Sequence, residues 1–339
     1  MKKIIFIMLV ISGIFTSCHN GKWEFPDYEY TAVYFAYQTP VRTIVLGDDY
    51  YDTTLDNEHK CQILATMGGV YDNKNNVEIS FRVDNSLCDN ISFDAAGNNK
   101  VMAMPSNYYS LSSSDKMIIE KGKIMGGVTV QLTDAFFADP LSLKHTYVIP
   151  LLMTGVKNAD RILSGTAIED NASRYNSEAW DPAPKDYILY AIKYINPYHA
   201  TFLRRGTDVI TGSINKTVVR QKEFVEKDEV ISTFSRSLNT VELPLEIADS
   251  EGRNIECKVL LTFDNSGNCT VSSGTDGITM SGSGKFESKG EKNSWGNKDR
   301  DAIYLTYNIN FGDFQYATTD VLVYRDRGIM VETFTPRLK

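Results

Sequence analysis

The chain has 339 residues, 42 % of them hydrophobic and 23 % charged. That is the composition of a globular protein about two domains long. Its formal charge of −8 leaves no basic footprint, which argues against nucleic acid or an anionic membrane surface as a partner.

The first 17 residues read as a secretory signal peptide. Lys2-Lys3 precede an apolar run from Ile4 to Ile14, and Phe15-Thr16-Ser17 place small residues before Cys18. The run is too short and wrongly flanked for a membrane span. A cysteine at this point resembles the lipobox of bacterial lipoproteins, with Phe15 where Leu is usual. The resemblance implies lipidation at Cys18, a lipidated tether over 18–23, and membrane contact through the lipid only. An anchored chain of this type is expected at the outer membrane, facing the periplasm or the cell surface, with the surface favoured. Losing Lys2 and Lys3 with the leader takes the formal charge to −10.

Residues 24–165 read as a β-sandwich domain. Strand-length segments run over 30–37, 41–46, 60–67, 77–83, 116–120, 128–132 and 147–153. Val77, Ile79, Phe81 and Val83 are apolar while Glu78, Ser80 and Arg82 are polar, the period-two pattern of a half-buried strand. Gly68-Gly69, Asn75-Asn76 and Lys121-Gly122 mark turns. Seven such segments without a convincing helix predict two packed sheets. Phe136 and Phe137 are expected to plug one end, with a ligand platform of Tyr108 and Phe137 as the competing reading. His59 and His145 are expected to be solvated or satisfied in the core.

The motifs Met67-Gly68-Gly69-Val70-Tyr71, Tyr108 to Leu111, Ile119 to Lys123, Gly127 to Asp139 and Tyr147 to Leu151 occur in one order. Together they resemble an N-terminal domain of unknown function found in many Bacteroides-type surface lipoproteins. The resemblance covers most of residues 30–155. It implies an immunoglobulin-like β-sandwich beside glycan-processing or glycan-binding modules, in a spacer or adhesion role.

Residues 166–185 carry Asn171, Ser173, Asn176, Asp181, Pro182 and Pro184 and read as a linker. Tyr175 and Trp180 are two aromatics in this polar setting. They either staple the domains together or line an interdomain ligand cleft.

Residues 186–339 read as a β-barrel domain. Ile188, Tyr190, Ile192 and Tyr194 alternate, which makes 187–195 the expected first barrel strand. Asn196-Pro197 is expected to bend the chain, and Arg204-Arg205-Gly206 to close a hairpin between strands 200–203 and 207–215. Here His199 and Arg204 are expected to brace a turn. Short turns at 249–252, 264–267 and 326–328 then separate further strands, ending in one over 328–334. So long a meander must curl to hide its edges, which predicts an up-and-down antiparallel barrel of about eight strands. The run Lys193 to His199, with Phe202 to Gly206, Trp295-Gly296, Asp301 to Leu305 and Val331 to Phe334, resembles a second uncharacterised domain of the same lipoproteins. That resemblance spans about 186–338 and implies a calycin-like, or lipocalin-like, barrel able to hold a small apolar molecule.

Cys257 and Cys269 flank the expected turn at Asp264 to Gly267. A hairpin centred there puts Cys257 opposite a residue near Gly274 rather than Cys269, beyond the roughly 7 Å Cα separation a disulfide allows, so both are expected as free thiols. Cys61 and Cys88 stay open as a pair. With no CxxC and no neighbouring His pair, no metal is expected.

The chain carries no GxSxG, HExxH or phosphate-cradling loop, and no cofactor signature. The expectation is therefore a non-enzymatic protein. Lys292 to Asp301 set Trp295 among amides and charges, where an aromatic face can stack on a sugar and Asn297, Asp299 and Arg300 can supply hydrogen bonds. Three functions stay open. One is a surface lipoprotein that binds glycan within a polysaccharide-utilisation system, beside outer-membrane transport or glycan-processing partners. Another is a carrier of a small apolar ligand inside the barrel, for which Leu261, Tyr304 and Tyr307 must leave a void. The third is a structural or adhesion spacer.

Overall fold

Alternating apolar side chains build both halves of the protein from strands. A computed structural model describes residues 27–213, 215–248 and 252–338. The signal peptide, the tether and Cys18 lie outside the described residues. The main strands of the first half are β1 (Ala32–Tyr34), β2 (Pro40–Val45), β3 (Lys60–Gly68), β4 (Val77–Val83), β5 (Lys116–Ile119), β6 (Met125–Leu132), β7 (Tyr147–Lys157) and β8 (Tyr187–Ile195). They form one sheet that folds over where β5 meets β6, at the single pair Ile118–Gly127. One layer is then β1-β3-β6 and the other β5-β4-β7-β8-β2. Val33, Ile63, Ile79, Val130, Ile149 and Ile192 are buried between them, as expected of a β-sandwich.

The fold-over depends on two glycines. A Cβ at Gly126 would lie 2.0 Å from the Ile118 carbonyl oxygen, and one at Gly127 would lie 1.9 Å from that of Ile63. Backbone cannot yield as a flexible side chain can. Gly127→Ala is therefore expected to destabilise the sandwich by about 3 kcal/mol, the upper range for forcing extra volume into a packed site. Urea titration of the purified chain checks this, and a midpoint unchanged from wild type would refute it.

Strand β8 does not open the barrel, as the sequence suggested. It pairs antiparallel with β7 and parallel with β2, inside the first sheet. The reason is that both of its faces are apolar. Ile188, Tyr190, Ile192 and Tyr194 enter the main core, while Tyr187, Leu189 and Ala191 enter a second cluster on the outer side. A strand covered on both faces belongs in the middle of a sheet with layers above and below. Residues 166–185 are accordingly not an interdomain linker but a long loop of the first domain, and the chain passes to the second domain near Asn196. The tail also departs from expectation. Glu332 and Thr333 pair with β2, and Phe334 fills the outer cluster against Phe93 instead of extending the barrel.

The second half contains β9 (Thr201–Gly212), β10 (Lys216–Arg220), β11 (Glu229–Ser232), β12 (Phe234–Ser235), β13 (Thr240–Ala248), β14 (Asn254–Phe263), β15 (Asn268–Ser273), β16 (Thr279–Ser294), β17 (Lys298–Asn310) and β18 (Phe314–Asp326). From β13 to β18 each strand pairs antiparallel with the next, and β18 pairs with β9. Strands 200–203 and 207–215 are one continuous β9. Gly206 makes no turn: a Cβ there would lie 2.0 Å from the Thr319 carbonyl oxygen, so it permits close strand approach.

The ends of this sheet meet through β11 and β12. Strand β11 pairs with β9 over 201–204, and β12 pairs with β13 at Val241 and Glu242. Thr233, between them, donates its N–H to the Ala200 carbonyl. The sheet thus curls into a barrel joined at one end only. Farther along, β9 pairs with β10 instead, and among the described residues β13 has no strand partner on that edge beyond Glu242.

Candidate functional site

Among the described residues Asp49 and Arg220 each carry a buried polar atom without a partner, and each lines a concavity. The first lies where the loop that follows β2 in the sandwich, residues 46–51, meets the rim of the barrel. Gly47 turns this loop with φ +87° against Pro197. Arg327, at the end of β18, anchors it from below. Its Nη2 donates to the carbonyls of Leu46 at 3.1 Å and Asn196 at 2.7 Å, and its Nη1 donates to Asp48 at 3.4 Å. One side chain therefore ties the loop, the interdomain connection and the barrel together.

The cleft above this anchor has a volume of about 200 Å³ and is lined by Asp48, Asp49, Tyr50, Arg300, Tyr324 and Asp326, with Asp301 and Arg325 beside them. Tyr50 is 91 % exposed, an aromatic face offered to solvent. Asp49 Oδ1 accepts the Tyr50 N–H at 2.7 Å and the Tyr324 hydroxyl at 3.5 Å. Asp49 Oδ2 is buried and has no partner among the described residues. Burial, then the nearby Asp49 carboxylate, raises the pKa of Tyr51. Burial also pushes the Tyr324 hydroxyl well up, so both phenols stay neutral donors.

Of the residues picked from sequence, Arg300 enters this cleft. Trp295 stands behind it: the Arg300 guanidinium lies 3.5 Å from the indole centroid, and the indole N–H donates to the Tyr324 carbonyl at 3.0 Å. The indole serves as a shelf for Arg300, and that face is already covered. Asn297 and Asp299 sit at the exposed tip of the hairpin. Asp299 accepts the Asn293 backbone N–H at 3.0 Å and pairs with Lys292 at 3.1 Å, in that order the main causes of its lowered pKa.

Tyr175 and Trp180 are elsewhere. The Tyr175 hydroxyl donates to the Leu87 carbonyl and its ring packs on Tyr187. The Trp180 indole donates to the Ser173 carbonyl at 2.9 Å. Tyr175 fastens the 166–185 loop to the first domain and Trp180 braces that loop internally; neither lines the cleft. Phe137 is fully buried, its carbonyl accepting the Tyr194 hydroxyl at 2.9 Å, so it is packing and not a ligand platform. Sequence reading missed Asp48, Asp49 and Tyr50. Their signal was an Asp-Asp-Tyr-Tyr run set in a loop between two strands.

The second concavity opens through the gap in the barrel wall between β10 and β13. It measures about 170 Å³. Its floor is a network of buried charge. Asp320 accepts from Arg204 Nε at 3.0 Å, Arg220 Nη2 at 2.7 Å and the Tyr307 hydroxyl at 2.8 Å. Asp208 accepts from Arg220 Nε at 2.8 Å and Thr318 Oγ1 at 2.9 Å. Burial works against its charge, but the Arg220 hydrogen bonds outweigh that and leave its pKa lowered. Arg204 was expected at a turn and instead points into the barrel. Inward Leu261 and Tyr307 do fill the interior, while Tyr304 lies on the opposite face and donates to Glu291 at 2.8 Å.

Among the described residues no group of three or more His, Cys, Asp or Glu side chains could hold a metal ion. The four cysteines there are all free. Phe263 pairs with Cys269 and Val259 with Ser273, which carries Cys257 past Gly274 as the register argument required.

Residues 28–160 match the profile of an N-terminal domain family, and residues 197–328 match a domain of unknown function, DUF5627. A solved protein of unknown function from Bacteroides ovatus is 47 % identical, covering 93 % of this chain and 100 % of that one with a TM-score of 0.88. The chain belongs to that protein's family. An auxiliary nutrient binding protein from Bacteroides thetaiotaomicron is 14 % identical over 86 % of this chain and 95 % of that one, with a TM-score of 0.39. A second Bacteroides ovatus protein of unknown function is 12 % identical over 90 % of this chain and all of its own, with a TM-score of 0.41. No curated protein matches. The second family match begins at Pro197, where β8 has ended and the barrel begins.

Proposed function

We propose that this is a non-catalytic binding protein of the cell surface, anchored by lipid at Cys18, that holds a glycan in the cleft between its two domains. The observation that carries the reading is the orphaned Asp49 Oδ2 in the wall of that cleft. A buried carboxylate oxygen without a partner is costly and calls for a donor. A sugar hydroxyl is such a donor. Tyr50 offers an aromatic face to the C–H side of a sugar ring, and Arg300 and Asp326 offer planar polar groups to its hydroxyls. Domain interfaces are frequent places for such sites. The immunoglobulin-like and calycin-like assignments of the two domains fit this reading, with the sandwich as spacer and wall.

A lipid-like cargo in the barrel is less well supported. The interior is occupied by Val241, Leu243, Val259, Leu261, Ile303 and Leu305, all buried, and the space that remains is floored by Arg and Asp. A glycan array followed by native mass spectrometry of the purified chain tests the proposal. Retained glycans are expected to bind at least ~10-fold more weakly to Tyr50→Ala and Arg300→Ala, a loss of about 1.4 kcal/mol or more. Trp295→Ala is expected to weaken them too, because Arg300 loses its shelf. Retention of no glycan, or equal binding by all three variants, would overturn it and leave the spacer role.

A further inference from the structure

The cavity in the barrel wall is separate from the interdomain cleft and built differently. Its floor is charge-balanced: Arg204 and Arg220 face Asp208 and Asp320, all held within the barrel. One donor is left over. Arg220 Nη1 is buried and has no partner among the described residues. The rest of the lining is apolar: Ile210 and Val218 on the same strands as Asp208 and Arg220, and Leu245 and Ile247 on β13 across the gap. Glu229 and Glu246 stand at the mouth.

These features narrow the ligand. The spare guanidinium N–H demands an oxygen acceptor. Two carboxylates at the mouth and a neutral floor disfavour an anion. A cationic amine has no lone pair to give Arg220. A neutral molecule bearing hydroxyls satisfies the donor, and a hydroxyl can also donate to Asp208 or Glu229. One face of it must be apolar to lie against Leu245 and Ile247. The volume of about 170 Å³ is below the ~300 Å³ at which drug-sized and lipid ligands begin. We propose that this cavity is a second binding site, for a single small neutral polyhydroxylated molecule such as one sugar unit.

The gap exists because β9 changes partner midway. Over 201–204 it pairs with β11, which leads to β12 and β13 and shuts the wall; over 206–210 it pairs with β10, which among the described residues is not paired with β13. The opening is therefore in the side of the barrel, not at its mouth. That places the site on a different surface from Tyr50 and Arg300, which line the interdomain cleft.

The test is calorimetric titration of the full chain with D-glucose, D-galactose, D-xylose and myo-inositol, with succinate and laurate as controls. At least one of the neutral probes is expected to bind. Val218→Trp, which fills the opening from the edge strand, and Arg220→Lys, which keeps the charge but removes Nη1 together with the fork that holds Asp208 and Asp320, are each expected to weaken that binding at least ~10-fold. Tyr50→Ala is expected to leave it unchanged. Should Val218→Trp fail to fold by circular dichroism, Arg220→Lys decides. The proposal is overturned if no neutral probe binds at ~50 mM, a concentration that detects even weak millimolar sites. It is equally overturned if succinate or laurate binds in preference, or if the sugar is lost in Tyr50→Ala and kept in Arg220→Lys. That last result would place the sugar in the interdomain cleft and leave the glycan proposal standing.

Discussion

Asp320→Ala is expected to destabilise the barrel by about 3–5 kcal/mol, the range found when one member of a buried ion pair is removed. Asp320 is 2 % exposed and holds three donors, from Arg204, Arg220 and Tyr307. Removing it leaves two guanidinium groups with less than their full complement of acceptors inside a wall of Ile, Leu and Val. Asp208 still serves Arg220 from the other side, at 2.8 and 2.9 Å, so the loss falls more heavily on Arg204. Glu229 is the available replacement for Arg204, but it lies 3.4 Å away and is half exposed. Glu229→Ala is accordingly expected to cost less than about 1 kcal/mol, as exposed pairs do. Equilibrium urea unfolding of both variants measures the contrast. Equal costs for the two would show that the network is not what holds the wall.

His199 is expected to make the barrel lose stability as the pH falls from neutral. Burial, then the positive charges of Arg327 and Lys193, push its pKa down from 6.5 to about 4. The geometry agrees with a neutral ring: Nδ1 accepts the Ser235 backbone N–H at 3.1 Å, a bond that a protonated Nδ1 cannot make. In the unfolded chain the ring takes a proton near pH 6.5, and in the folded protein only near pH 4. The stability it confers is therefore complete above pH 6.5 and is lost progressively down to about pH 4. The full loss is about 3 kcal/mol, at 1.36 kcal/mol per unit of pKa. His199→Asn keeps an acceptor for Ser235 without the titration. Unfolding measured between pH 7 and 5, above the range of most carboxylates, is expected to show the slope in the wild type and not in the variant. Parallel slopes would refute the assignment.

His199 also marks how far the sequence could be followed. Its place beside Asn196-Pro197 indicated a bracing role, and it does brace β12. Cys257 and Cys269 were resolved as free thiols by counting register through the turn at Asp264, because hairpin pairing is a local matter of chain length. Trp295 and Arg300 stand out in the sequence as an aromatic among charges; Arg300 lines the cleft, while the indole face expected to stack on a sugar is covered by Arg300. Tyr175 and Trp180 stood out for the same reason and turned out to fasten a loop. A lone aromatic in a polar run shows that it must be covered, not by what.

The period-two patterns, the turn residues and the absence of long helical stretches determined an all-β protein with a sandwich before a curled meander. Those are properties of neighbouring residues, and the chain carries them openly. Only the tertiary structure decided that β8 belongs to the sandwich, since alternation is the same in a barrel strand until both faces are found covered. It likewise decided that Gly206 is a point of strand contact and not a turn. It brought Asp49, Arg300 and Tyr324 to one cleft across a separation of hundreds of residues. It also gathered Arg204, Asp208, Arg220 and Asp320 behind an opening that exists because β9 exchanges one partner for another. Local pattern sets the elements; which edges meet is settled by how the two sheets fold over and curl, and the barrel-wall cavity lies where two such edges stay apart.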